Sequence, residues 1–209
     1  MWETWDIKGH TLEYNDEHHL YICDGLEVPS VTQLLHRRFP KKYAGIPRAL
    51  LDKAAKRGTM LHSAIEVEER LLRGESADVD VLSAALATMY EEIQNYRFLK
   101  KAYQFSVLQN EVPVLVPFNG DIVAAGRLDI FGSYRDRGML ADIKRTSVLD
   151  KDYLSYQLTL YKMGWEHCYG GQIDYLFCIW LREDKRQFKA IPECRNLALE
   201  LLGEIQEGI

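Results

Sequence analysis

Between residues 106 and 145 the chain runs through three apolar, alternating stretches, 106–117, 122–134 and 139–145, separated by turn signals. This run constrains the fold more than any other feature. Asn119 and Gly120 are a strong hairpin signal, and the link from Tyr134 to Gly138 makes a second turn. Side chains alternate faces along a strand, so Asp142 and Lys144 point the same way, flanked by apolar Leu140, Ala141 and Ile143. Asp129, at the end of the preceding apolar run, is brought near Asp142 by the hairpin. Two carboxylates and a lysine on one face suit a divalent cation with an anionic substrate, because carboxylate oxygens are hard ligands and a lysine stabilises developing phosphate charge. In isolation the same residues also fit a hairpin with a surface salt bridge.

Helical patterns flank the strands. Pro47 suits a first helical turn, and a helix is expected from Arg48 to Arg73, broken near Gly58 and capped by Gly74. His62 and Glu66 lie four apart on it and share a face. A second helix is expected from Asp78 or Asp80 to Lys101. A third, capped by Asp152, runs to Tyr169 and ends at Gly170 and Gly171. Gln157 and Tyr161 share its face. A buried strand over 173–181 and a hairpin mate over 187–191 follow. Pro192 opens a last helix with Leu197, Leu201 and Ile205 inward. At the front, 11–22 reads as a hairpin turning at Asn15 and Asp16. A helix starts near Ser30, capped by Ser30 or Thr32, and ends before Pro40. Taken alone, His62, Glu66, Gln157 and Tyr161 fit packing or solvated positions as well as a site.

Taken in order, Gly58-x-x-x-His62, Gly126-x-x-Asp129, Asp142-x-Lys144 and Gln157-x-x-x-Tyr161 resemble the RecB-like branch of the PD-(D/E)XK nuclease superfamily. The resemblance covers roughly residues 29–180, and the Pro29-Ser30-Val31-Thr32 entry is similar to that of phage-type members. It implies an α/β (α+β) fold: a mixed central sheet flanked by helices, with a restriction-endonuclease-like αβββαβ core. That core would occupy 48–191 of a single domain, with an N-terminal hairpin and helix in 1–47 and a C-terminal helix in 192–209. It implies one or two Mg²⁺ or Mn²⁺ ions held by Asp129, Asp142, the Ile143 carbonyl and His62. Lys144 would orient the attacking water or stabilise charge, and Gln157 and Tyr161 would support the site. Glu66 and Glu111 are candidates for supporting acids. The implied activity is phosphodiester hydrolysis in DNA, foremost as an exonuclease of recombination or repair. An endonuclease of the same chemistry, and a nucleic-acid-binding or assembly module that has lost cleavage, are the alternatives. The implied partners are DNA and a recombination protein.

The net charge of −5 argues against a protein that coats DNA, but the charge is unevenly distributed. From His36 to Arg57 there are eight basic residues and one acid, a net +7. Arg37, Arg38, Lys41, Lys42, Lys53, Lys56 and Arg57 are its candidate phosphate contacts. From Gly58 to Gln94 the balance is −6, so pairing between the two blocks is the competing reading. Cys23, Cys168, Cys178 and Cys194 are at least ten residues apart, which argues against an iron–sulfur cluster and against zinc. No apolar run reaches membrane-spanning length and the first residues are acidic, so the expectation is a protein of a bacterial or phage-infected cytoplasm, with reduced thiols and no membrane. The sequence leaves the oligomeric state open.

Overall fold

The computed structural model describes residues 2–42 and 45–206. Its first unit is a four-stranded antiparallel meander of β1 (Trp2–Ile7), β2 (His10–Asn15), β3 (Leu20–Cys23) and β4 (Leu26–Val28). A single hairpin over 11–22 was the expectation. The two extra strands follow from Lys8-Gly9 and Asp24-Gly25, whose φ values of 52°, 86°, 52° and 81° turn the chain tightly in the left-handed region. The β2–β3 turn falls beyond Asn15, since that residue still pairs with Leu20.

Helix α1 (Val31–Arg38) begins with a capping box: Ser30 Oγ accepts from the Gln33 N–H, and the Ser30 N–H donates to Gln33 Oε1. Helix α2 (Arg48–Leu72) passes through Gly58 unbroken. The helix expected to reach Lys101 is instead two, α3 (Val79–Thr88) and α4 (Tyr90–Tyr103), separated at Met89. Two causes coincide there. The Thr88 hydroxyl donates to the Ala84 carbonyl, a back-bond that bends helices, and the Met89 side chain is buried with Leu61, Ala64 and Ile65. Asp78 caps α3.

The second sheet contains β5 (Ser106–Phe118), β6 (Asp121–Tyr134), β7 (Arg137–Lys144), β8 (Tyr175–Arg182) and β9 (Lys185–Ala190), paired in that order. All neighbours are antiparallel except β7 and β8, which the crossover helix α5 (Lys151–Tyr169) joins in parallel. Asp150, not Asp152, caps α5, its Oδ1 accepting from the Tyr153 N–H. Gly170, at φ 70°, ends it. The last helix, α6 (Arg195–Gln206), starts three residues after Pro192 and turns Ala198, Leu201 and Leu202 inward, leaving Leu197 exposed.

The result is a mixed α/β molecule with helices on both faces of the larger sheet. One apolar layer joins α1, α5 and α6 to that sheet; the other joins α2, α3 and α4 to its opposite face. The four-stranded sheet packs Leu12, Tyr14 and Tyr21 against Leu115 and Ala125. Among the described residues no helix is long and apolar enough to cross a membrane.

Candidate functional site

Strands β6 and β7 stay paired from Tyr134 to Ile130 and then part at Asp129. The parting leaves the Ile143 N–H without a ladder partner, and a buried backbone donor must find another acceptor. Asp129 Oδ2 accepts it at 2.7 Å. The Ile143 carbonyl, turned toward α2, faces His62 Nε2 at 2.9 Å, while His62 Nδ1 lies 3.5 Å from Asp129 Oδ2. A neutral imidazole donates through one nitrogen, so it cannot satisfy both oxygens. A cation between ring and oxygens removes that conflict.

Glu111 joins this group from β5. Its φ of 49° is unusual for a non-glycine strand residue, and such strain gathers at functional positions. One ligand atom each from His62, Glu111 and Asp129 lies within 4.8 Å of the other two. Burial, followed by the charge of Asp129, pushes Glu111 up to about 8, with Arg127 3.4 Å away opposing the rise. Glu111 thus sits among the ligand-type atoms rather than beside them. Arg127 was not singled out in the sequence. It also pairs with Glu3 at 3.0 Å and lies over the Tyr14 ring, tying the four-stranded sheet to the site.

Asp142 and Lys144 lie on the α5 side of β7. Lys144 Nζ is 2.7 Å from each Asp142 oxygen, but only Oδ1 meets hydrogen-bond geometry, which leaves Oδ2 buried without a hydrogen bond. Burial pushes Asp142 up to about 6 against the pull of Lys144. Burial alone would lower Lys144; the charges of Asp142 and Asp129 outweigh it and raise the ammonium above its ordinary value. The raised acids Glu111 and Asp142 describe a place where added positive charge is favourable. The donor set of carboxylates, one carbonyl and one imidazole fits Mn²⁺ or Mg²⁺, the imidazole favouring Mn²⁺. His62, Glu111, Asp129 and the Ile143 carbonyl are gathered where such an ion could be held, while Asp142, outside that group, faces α5 and is engaged with Lys144.

Gln157 is buried, and its Oε1 has no hydrogen-bond partner. It lines a cavity of about 190 Å³ with Lys144, Lys42, Thr32 and Asp150. Tyr161 hydrogen-bonds with Gln157, and burial pushes its phenol up. Its ring closes on Gly126, where an added Cβ would stand 2.8 Å from Tyr161 Cε1. The glycine of one motif therefore exists to admit the tyrosine of another. Glu66, one turn beyond His62, pairs with Arg70 at 3.6 Å and shares a groove with Glu111.

The basic residues divide. Arg37, Arg38, Lys41, Lys53 and Lys56 are exposed, and Lys42 is half-buried over the Tyr153 ring. Arg57 is held at 3.2 Å from buried Glu92 and 3.1 Å from Glu183, an anchorage shared with Arg145. The acids Glu68 and Glu69 pair with Arg97 and Lys100 of α4 rather than with the basic segment.

No protein-family model and no curated protein matches the chain. Among solved structures, it is similar to the crystal structure of SSO0001, with a TM-score of 0.38 and 17% identity over 72% of this chain and 74% of that one.

Proposed function

We propose that this chain is a divalent-metal-dependent DNA nuclease of the RecB-like PD-(D/E)XK type, acting as an exonuclease. The observation that supports it most is the meeting of His62, Glu111 and Asp129 beside the buried Asp142–Lys144 pair. A divalent ion held by these acids, His62 and the Ile143 carbonyl would supply Lewis acidity to a phosphoryl oxygen and acidify a water.

The chain's own groups do the rest. Asp129, fixed by the Ile143 N–H, keeps its carboxylate aimed at the site. Asp142 holds Lys144 in place, and the Lys144 ammonium stabilises charge that develops on the phosphate in the transition state. Gln157 positions Tyr161 and borders the Lys144 cavity, where a strand passing the site would meet it. The exposed lysines and arginines of the 37–56 segment attract the backbone.

The test is digestion of end-labelled linear DNA and of circular single-stranded DNA with Mg²⁺, Mn²⁺ or chelator. Metal-dependent release of nucleotides from linear ends, with circles left intact, is the expected result. Cleaved circles would make the enzyme an endonuclease. DNA binding without cleavage under any metal would replace the nuclease reading with a binding module.

A further inference from the structure

The four-stranded sheet carries a second group of ligand-type side chains, far in sequence from Asp129 and Asp142. His10 opens β2, Cys23 ends β3, and Asp24 begins the turn to β4. One ligand atom from each lies within 4.8 Å of the other two. The turn produces this grouping. With Asp24 at φ 52° and Gly25 at φ 81°, the Asp24 carboxylate folds back over β2. Its Oδ1 accepts from the Thr11 N–H at 2.8 Å, and its Oδ2 lies 2.6 Å from His10 Nδ1. Cys23, 5% exposed, sits beneath.

A fourth side chain arrives from the last turn of α5. Cys168 packs on the same apolar cluster as Cys23. Its Sγ accepts from the Leu115 N–H at 3.2 Å and its thiol donates to the Leu115 carbonyl at 3.7 Å. Burial pushes the Cys23 thiol up, and Asp24 and Cys168 push it further.

We propose that His10, Cys23, Asp24 and Cys168 form a zinc-class metal site that clasps the N-terminal sheet to the end of α5. Thiolate and imidazole together select zinc over the harder Mg²⁺ or Mn²⁺. Ligand atoms around tetrahedral zinc stand roughly 3.3–3.8 Å apart, so the three grouped atoms of His10, Cys23 and Asp24 need adjustments of about 1 Å to close, and Cys168, outside that group, would move in as the fourth ligand. The spacing of the cysteines had argued against zinc because the set is assembled from β2, the β3–β4 turn and α5, which no short motif records. Lys8, nearby, is engaged with the His167 carbonyl at 2.8 Å.

The test uses the full chain carrying Asp129→Asn, so that metal at the proposed nuclease centre does not contribute. Titration with Co²⁺ should give a saturable thiolate-to-cobalt charge-transfer band that Zn²⁺ displaces. Cys23→Ser should abolish or shift the band. His10→Ala, at a partly exposed position, should weaken Co²⁺ binding by about ten-fold or more. Absence of the band in the parent protein overturns the proposal. So does a band unchanged in Cys23→Ser, or, if that variant fails to fold, unchanged affinity in His10→Ala. The readout is spectroscopic, so its failure is separable from failure of the nuclease reading.

Discussion

On the proposed function, Lys144 and the acid Asp129 have different tasks, and their substitutions should differ accordingly. Lys144 touches Asp142, and its ammonium, which has no lone pair, does not itself ligate a metal. Lys144→Ala should lower cleavage by roughly 10²–10³-fold, the scale of losing one charge-stabilising donor, while Mn²⁺ still binds. Asp129→Asn should instead weaken Mn²⁺ binding itself, read by calorimetry. A folded Lys144→Ala protein with wild-type turnover would remove its catalytic role. Lys42, bordering the same cavity, makes a pH-dependent prediction. Burial lowers it from 10.5 to about 8, with Lys144 adding to the fall and Asp150 opposing it. Between those two values the unfolded chain binds the proton that the folded chain has released. The Lys42 contribution to stability therefore rises with pH across that window and is least favourable below it. Denaturant unfolding of wild type and Lys42→Met from pH 7 to 10.5 should show wild type gaining on the variant as pH climbs. A constant difference would contradict the shift.

At the scale of elements, two glycines with the same sequence appearance behave oppositely. Gly126 in β6 lies under the Tyr161 ring, so Gly126→Ala forces a 2.8 Å contact and should destabilise by about 1–3 kcal/mol. Gly58 in mid-α2 faces open space, with nothing within 4 Å of an added Cβ. Gly58→Ala should stabilise the fold by about 0.5–1 kcal/mol through helix propensity. If the open face is where DNA approaches, the same change should weaken DNA binding; thermal unfolding and a binding titration separate the two effects. The elements themselves were largely legible, because strand alternation over 106–145 and helical spacing around His62 and Gln157 are strong periodic signals. The place of Glu111 was not. Counting back from the Asn119–Gly120 turn sets it opposite Leu128. A bulge between Val116 and Pro117 shifts the register by one residue, so that Val112 pairs with Leu128 and Glu111 comes opposite Asp129. One irregular step, marked in the sequence only by Pro117, thus moved an acid into the candidate site. The break at Met89 escaped for a related reason: the apolar stripe continues across it, and only packing against α2 reveals the bend.

At the scale of the whole molecule, a chain of net charge −5 must bind DNA, if it does, through a local field. The structure narrows which part of the basic segment can do so. Arg57 is committed to Glu92 and Glu183, where it holds α2 against α4 and the end of β8, so its loss should read as lost stability. Lys41, Lys53 and Lys56 are exposed on the α1–α2 connection and the first turns of α2, and their stems bury little. Replacing these three with glutamine should leave the unfolding temperature and Mn²⁺ affinity near wild type. DNA affinity should fall at low salt, and the slope of log affinity against log salt should flatten by about 0.7–0.9 for each lysine that contacts a phosphate, the lower value applying to single strands. Arg57→Gln should show the reverse pattern, a lowered unfolding temperature with the salt slope unchanged. Measuring affinity across a salt series for both variants tests the division. A flattened slope in Arg57→Gln, or an unchanged one in the triple variant, would move the DNA path away from the start of α2 and toward the opposite rim of the site.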